Sequence, residues 1–409
     1  MTIDQDEAPF AGLKVLDIST FIAGPAAATI LADLGADVIK VEPPGMGDPY
    51  RYIHLMPPMP ASEENYCWTL DNRSKRSLAL DLKNKEARAI LDRMIAGADV
   101  LVTNFPPQVR AGLRLTYEDV APLNPRLVYA EISGYGGVGP EANKPGFDTT
   151  AFWARSGMMD GMRAAGSPPA LSLAGIGDHP TATALYAGIV TALLRRERTG
   201  KGGRVSTSLL ASGAWSNGCL TQAALLGATP FKQVDRAAPP NALVNSYRTA
   251  DDRWLLMCCV QEDKDWPGVT RAIGRPELVD DPRFAVKPDR RLNAQALTAI
   301  LDEALGAAPL EHWRTRLDDE RVTFSIIQTL AEVAADPQLR LAEVVIPLAD
   351  GRETQAYTID SPFKIAGITK RPPGRAPGLG EHTVEILRAE GLSEAEITGL
   401  RAAGAIPQG

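Results

Sequence analysis

Two hydrophobic periods alternate along the first half of the chain. Leu13 to Ile18 (LKVLDI) alternates apolar and polar positions and predicts a strand; Gly24-Pro25 then opens a helical stretch, AAATILADLGA, that ends at Gly35. DVIKVE at 37–42 predicts a second strand, so the opening is a βαβ unit of the doubly wound α/β kind. SKRSLALDLK at 74–83 reads as a strand with a basic lead, Lys85 to Ala98 as an amphipathic helix, and DVLVTNF at 99–105 and RLVYAEISGYG at 126–136 as further strands. A long helix is predicted from Asp178, with Leu185, Ile189 and Leu193 in one stripe beside Val190 and Leu194. Pro180 falls in its first turn, Arg195, Arg196 and Arg198 in its last, and Gly200 just beyond. VSTSLL at 205–210 begins the next segment.

The pattern changes after about residue 212. A small-residue-rich stretch is followed by NSYRTADDRWLLMCCV, which predicts a hairpin turning at two aspartates. Three amphipathic helices follow, near 264–274, 292–307 and 309–319. From Phe324 onward Pro, Gly and short strands return, then a helix at 382–391 and a segment with Ser393 and Glu396 at capping-box spacing. This divides the chain into the first part of a large domain (10–212), a linker (213–240), a small α+β domain (241–325), and a linker with the C-terminal part of the large domain (326–409).

Composition narrows the function. The formal net charge of −7 and the lack of a polybasic run argue against a nucleic-acid binder. Apolar runs are broken well short of a membrane span, and the acidic start MTIDQDEAPF is no signal peptide, so the expected location is the cytoplasm. Cys67, Cys219, Cys258 and Cys259 lack metal spacing and are expected as buried free thiols. Four scattered histidines give no metal site, and no G-x-S-x-G marks a serine nucleophile.

Two places carry candidate chemistry. The turn after the first strand, STFIAGP, lies where open α/β sheets bind ligands, but it lacks the G-x-G-x-x-G of dinucleotide sites. That counts against a nucleotide-binding oxidoreductase. The other place is Gly175-Ile176-Gly177-Asp178. Asp178 stands where an N-cap belongs, and capping is its ordinary role. Yet the glycines leave the backbone open to a ligand, Thr181, Ala182 and Thr183 shield nothing, and helix N–H groups favour a neighbouring oxyanion. The local pattern leaves cap and nucleophile both open.

Several segments together resemble the class III coenzyme A transferases, the family that includes formyl-CoA transferase. They are LKVLDISTFIAGPAAATILADLGADVIKVEPPGMGD, SKRSLALDLK, DVLVTNF, the Asp178 stretch with RRERTGKGGRV, DPQ at 336–338 and GLGEHT at 378–383. The resemblance implies a Rossmann-like large domain built from the N-terminal half and the C-terminal tail, a smaller domain, and an interlocked homodimer. It implies Asp178 as the nucleophile that carries CoA from an acyl-CoA to a carboxylic acid, with Asp148 assisting in the place of a family Glu. It also implies CoA contacts at Ile22, Ala23, Leu80, Lys83, Asn104 and Phe105, and no cofactor beyond the CoA thioester itself. Pro43 replaces an Arg of formyl-CoA transferase, which shifts phosphate binding to cations such as Arg51, Arg110 or Arg114. The glycine-rich loop that closes over that enzyme's site is missing, which weakens oxalate or formyl-CoA as substrates. The α-methylacyl-CoA racemases of the same family use a His where Phe147 stands, and a Phe takes no proton, so transfer is favoured over racemisation.

Overall fold

The computed structural model describes residues 8–351 and 356–408, and their contacts divide into two compact units. Unit 1 comprises 1–159, 171–226 and 338–409; unit 2 comprises 160–170 and 227–337. Unit 1 is built on six parallel strands: β1 (Lys14–Ile18), β2 (Asp37–Glu42), β3 (Arg76–Ala79), β4 (Val100–Thr103), β5 (Val128–Ser133) and β6 (Gly203–Ser208). Their order, β3-β2-β1-β4-β5-β6, reverses between β1 and β4, which opens a crevice at the carboxyl ends of those two strands. The unit is therefore α/β with a parallel central sheet.

Alternation within the strands supplies both faces of this sheet. Leu16, Ile18, Ile39, Val41, Leu78 and Leu101 point to a core shared with α3 (Lys85–Ala96) and with two C-terminal helices, Thr383–Ala389 and Glu394–Ala402. The last of these carries the Ser393/Glu396 capping box. Val15, Val38, Val100, Val102, Val128 and Ala130 point the other way, onto α1 (Ala23–Asp33) and α4 (Asp178–Thr199). α1 is buried along its whole length, and its run of alanines lets α4 pack closely against it. Gly200 ends α4 in the left-handed conformation.

Several elements depart from the sequence reading. The basic lead of β3 is not a solvated one: Lys75 is 3% exposed and belongs to a buried ion cluster. A helix not foreseen, α2 (Tyr66–Asn72), precedes it, and Asp148–Ala154 forms a π-helical turn. Helices α5 (Leu209–Ser216) and α6 (Gly218–Leu225) extend into the stretch expected to be a linker. They expose Trp215 and Leu225.

In unit 2 the expected hairpin is present as β7 (Val244–Arg248) and β8 (Trp254–Cys258), with β9 (Phe324–Ile326) added antiparallel to β8. Tyr247, Leu255 and Met257 face a core closed by Trp266, Leu297, Leu301 and Leu317 from α7 (Glu262–Ala272), α8 (Ala294–Leu305) and α9 (Leu310–Asp319). Strand alternation separates the paired cysteines: Cys259 is buried and Cys258 exposed. Cys67 is buried as expected, but Cys219 on α6 is exposed. Among the described residues, no helix is long and apolar enough to cross a membrane, and no cluster of His, Cys, Asp and Glu is arranged to hold a metal.

Candidate active site

Asp178 opens α4 but does not cap it. Gly177 occupies the cap position, and Asp178 is the first helical residue. Its carboxylate is half-buried and accepts no hydrogen bond among the described residues. The two preceding glycines have separate structural causes. Gly175 sits at φ +78, where a Cβ is disfavoured and would stand 3.1 Å from the His179 ring. A Cβ on Gly177 would fall 2.4 Å from Cγ of Phe152, so only glycine lets this loop lie on the π-helical turn.

That contact brings in Asp148, the first residue of the turn and 8% exposed. Asp148 Oδ1 accepts from the Thr149 N–H at 2.7 Å, and Oδ2 accepts from the Gly177 N–H at 3.5 Å. Isolated π-turns recur at functional sites because they re-aim one side chain within a helix. Burial, and next the charge of Asp148, push the Asp178 carboxyl up to about 7; neighbouring His179 opposes the rise and Asp71 adds to it.

His179, in the first turn of α4, has fixed partners. Its Nε2 lies 3.0 Å from Asp71 Oδ1, its Nδ1 lies 3.2 Å from the Gly175 carbonyl, and the Tyr50 hydroxyl donates to Asp71 Oδ2 at 2.7 Å. Both ring nitrogens face acceptors, an arrangement that only the imidazolium satisfies. Burial pulls its pKa down, but the Asp71 hydrogen bond and charge, then Asp178 and the Gly175 carbonyl, raise it overall. His179 also borders a cavity of about 690 Å³ lined by Ile30, Leu70, Asp71, Thr183 and Pro362.

The turn after β1 rests on buried charge. Phe21 is held at φ +61, an unfavourable value for a bulky residue, with its N–H donating to Asp48 Oδ1 at 3.1 Å. Lys40 pairs with Asp48 at 2.9 Å and with Asp17 at 3.8 Å, and also donates to the Ser19 carbonyl. Lys75 pairs with Asp17 at 2.9 Å and donates to the Pro25 and Asp71 carbonyls and to Asn72 Oδ1.

The structure gathers some of the expected CoA residues and separates others. Ile22 and Ala23 lie at the start of α1, and Asn104 lies at the tip of β4. The Asn104 amide is engaged at both ends by Thr20, accepting from its N–H at 2.8 Å and donating to its carbonyl at 2.6 Å, so it shapes the turn. Phe105 is half-buried against the main core, and Lys83 is exposed in the turn before α3. Leu80 is fully buried, and its N–H donates to the Glu42 carbonyl at 2.8 Å. Among the phosphate candidates, Arg110 is buried with Glu131. Arg51 chelates Glu42, donates to the Pro377 carbonyl and stacks 3.7 Å over Trp68. Arg114 is exposed.

A model described as CoA-transferase family III matches residues 10–383. The chain belongs to this family. It is 33% identical to the cinnamoyl-CoA:phenyllactate CoA-transferase of Clostridium sporogenes, over 95% of each chain. It is 32% identical to the (R)-2-hydroxy-4-methylpentanoate CoA-transferase of Clostridioides difficile, over 95% of this chain and 97% of that one. Its structure is similar to a CaiB/BaiF family protein from Brucella suis, with a TM-score of 0.83 and 29% identity over 94% of this chain and 99% of the other. It is thus an acyl-CoA:carboxylate CoA-transferase of family III.

In this CoA-transferase the residues that sequence reasoning missed are Asp71 and Tyr50. Asp71 lies in a polar run, LDNRSKRS, that reads as surface. The available signal was the crowding of Asp71, Asn72, Arg73 and Lys75 beside a strand, and burial of all four explains it.

Proposed function

We propose that Asp178 carries CoA between the two substrates of this CoA-transferase through a covalent aspartyl intermediate. The Asp178 carboxylate attacks the donor thioester carbonyl, the C–S bond breaks, and a mixed anhydride and CoA thiolate result. The thiolate then attacks the aspartyl carbonyl, releasing the donor acid as its carboxylate and leaving an aspartyl-CoA thioester. The acceptor carboxylate attacks that thioester, and the returning thiolate completes the new acyl-CoA and frees Asp178. Protons balance throughout, and each step exchanges groups of similar energy, so no metal or redox cofactor enters.

The observation that carries this reading is a carboxylate at a helix start, free of hydrogen bonds and beside a second, buried carboxylate. An unpaired carboxylate whose pKa is raised keeps more of its nucleophilicity than a paired one. Asp148 and the imidazolium of His179 bracket it and set its ionisation from opposite directions. CoA is taken up along the turn at Ile22 and Ala23 and at Asn104, at the switch point of the sheet. The reading includes an interlocked homodimer, for which exposed Trp215, Leu225 and Leu226 offer apolar surface; a stable monomer in sedimentation at micromolar concentration would overturn that part. For the intermediate, protein incubated with acyl-CoA and hydroxylamine is digested and mapped by mass. The expected result is a hydroxamate at residue 178, and an unmodified Asp178 in turning-over enzyme overturns the mechanism.

A further inference from the structure

An apolar surface adjoins the loop that leads into Asp178. Phe147 precedes Asp148 and is 55% exposed. Its ring meets Phe21 edge to face, centroids 5.6 Å apart, so the two form one aromatic surface. Phe21 is held in place by the Asp48 hydrogen bond at its unfavourable φ. Phe147 is held from behind, where Gly146 lies so close to Gly134 that a Cβ on Gly134 would stand 3.0 Å from the Gly146 Cα. Ile22 continues the surface toward the nucleophile loop: its Cδ1 is 3.5 Å from the position a Cβ on Gly175 would take. Phe21 and Ile22 pack in turn on the buried cluster of Tyr50, Cys67 and Trp68.

The charges point the same way. Asp178, Asp148 and Asp71 are all acidic, and the imidazolium of His179 is bonded to Asp71. The cations that reach this turn are already engaged, Lys40 by Asp17 and Asp48 and Arg51 by Glu42. Among the described residues, a second carboxylate on the substrate would meet like charge at this turn, with Lys40 and Arg51 already paired.

We propose that Phe21, Ile22 and Phe147 form the wall that selects the acyl group, favouring acids with an aryl or branched alkyl side chain and no second charge. The inference rests on Asp178 as nucleophile, so its test uses the half-reaction at that residue. Purified enzyme is mixed with hydroxylamine and, separately, 3-phenylpropionyl-CoA, 4-methylpentanoyl-CoA, oxalyl-CoA or succinyl-CoA, and the rate of hydroxamate formation at residue 178 is followed. The two apolar thioesters should label at least about tenfold faster than the two charged ones. Phe147→Ala should slow the apolar thioesters about tenfold and leave the charged ones unchanged, with Phe147→Leu between, while Phe147→Arg should speed succinyl-CoA. Phe147 is exposed, and circular dichroism on the variants verifies the fold. Faster labelling by oxalyl- or succinyl-CoA, or a Phe147→Ala that slows all four alike, overturns the wall alone. No label with any thioester overturns Asp178 as nucleophile, and the wall with it.

Discussion

Two clusters of buried acids lie within unit 1, and they are treated in opposite ways. Under the β1 turn, Asp17 and Asp48 are fully buried and paired with Lys40 and Lys75. At the start of α4, Asp178 has Asp148 for a neighbour and no hydrogen-bond donor of its own. The environments move the carboxyls apart: the two lysines hold Asp17 below the usual carboxylate range in spite of its burial, whereas burial and a like charge lift Asp178 to about 7. Charges that hold a strained backbone are neutralised in place. The charge proposed to form and break a bond is left available, at a cost in stability.

The contrast is broken most completely at Asp178. Asp178→Asn and Asp178→Ala should lose on the order of 10³-fold or more in kcat while remaining folded, because neither offers an anionic oxygen and no cap is lost. Steady-state assay beside circular dichroism checks this, and a folded Asp178→Asn with full activity, once deamidation is excluded, refutes it.

The paired cluster should answer in stability instead. Lys75→Met strands Asp17 with a more distant partner and removes the donor to the Pro25 and Asp71 carbonyls. The expected loss is about 3 kcal/mol, read from urea midpoints. A change within about 0.5 kcal/mol would mean that the cluster contributes little to holding the turn.

A finer probe is the pH dependence of kcat/KM, which should rise as Asp178 ionises and level off above about 7. Asp148→Asn removes the like charge and should move this limb to lower pH. His179→Ala removes the opposing positive charge and should move it to higher pH. Limbs that stay together in all three proteins would show that neither neighbour tunes Asp178.

The smallest effect expected is on thermal stability. A folded pKa raised above the unfolded one favours the protonated acid, so ionised Asp178 destabilises the fold fully above about 7 and not at all below the ordinary carboxyl value of 3.8. Asp178→Asn should therefore raise Tm at pH 8, and the gain should shrink steadily toward pH 5. A gain independent of pH would assign it to something other than the carboxylate.

Much of the fold was legible because it is local. Alternation in LKVLDI and DVIKVE and the helical stripe from Leu185 to Leu193 follow from the geometry of strand and helix, whatever surrounds them. The position of Asp178 at a helix start, and the resemblance carried by its surroundings, were equally visible. What that position meant was not. The Asp that looked like a cap stands one residue past the cap, because Gly177 must lie against Phe152, and Phe152 belongs to a π-turn that no sequence period announces.

The sequence by itself thus determined the parallel α/β plan, the hairpin-and-helix insertion and the family. Only the tertiary structure decided which polar residues are buried and what they touch. Asp71 lies 108 residues from His179, and Asp148 lies 29 from Gly177, so neither contact leaves a periodic trace. Asp17, Lys40 and Lys75 occupy positions that read as strand or turn surface, yet all three are buried. The physical reason is that hydrophobic patterning reports burial only for side chains that gain by leaving water. A buried charge gains nothing until its counter-charge arrives from elsewhere in the chain, and that meeting exists only in the folded protein.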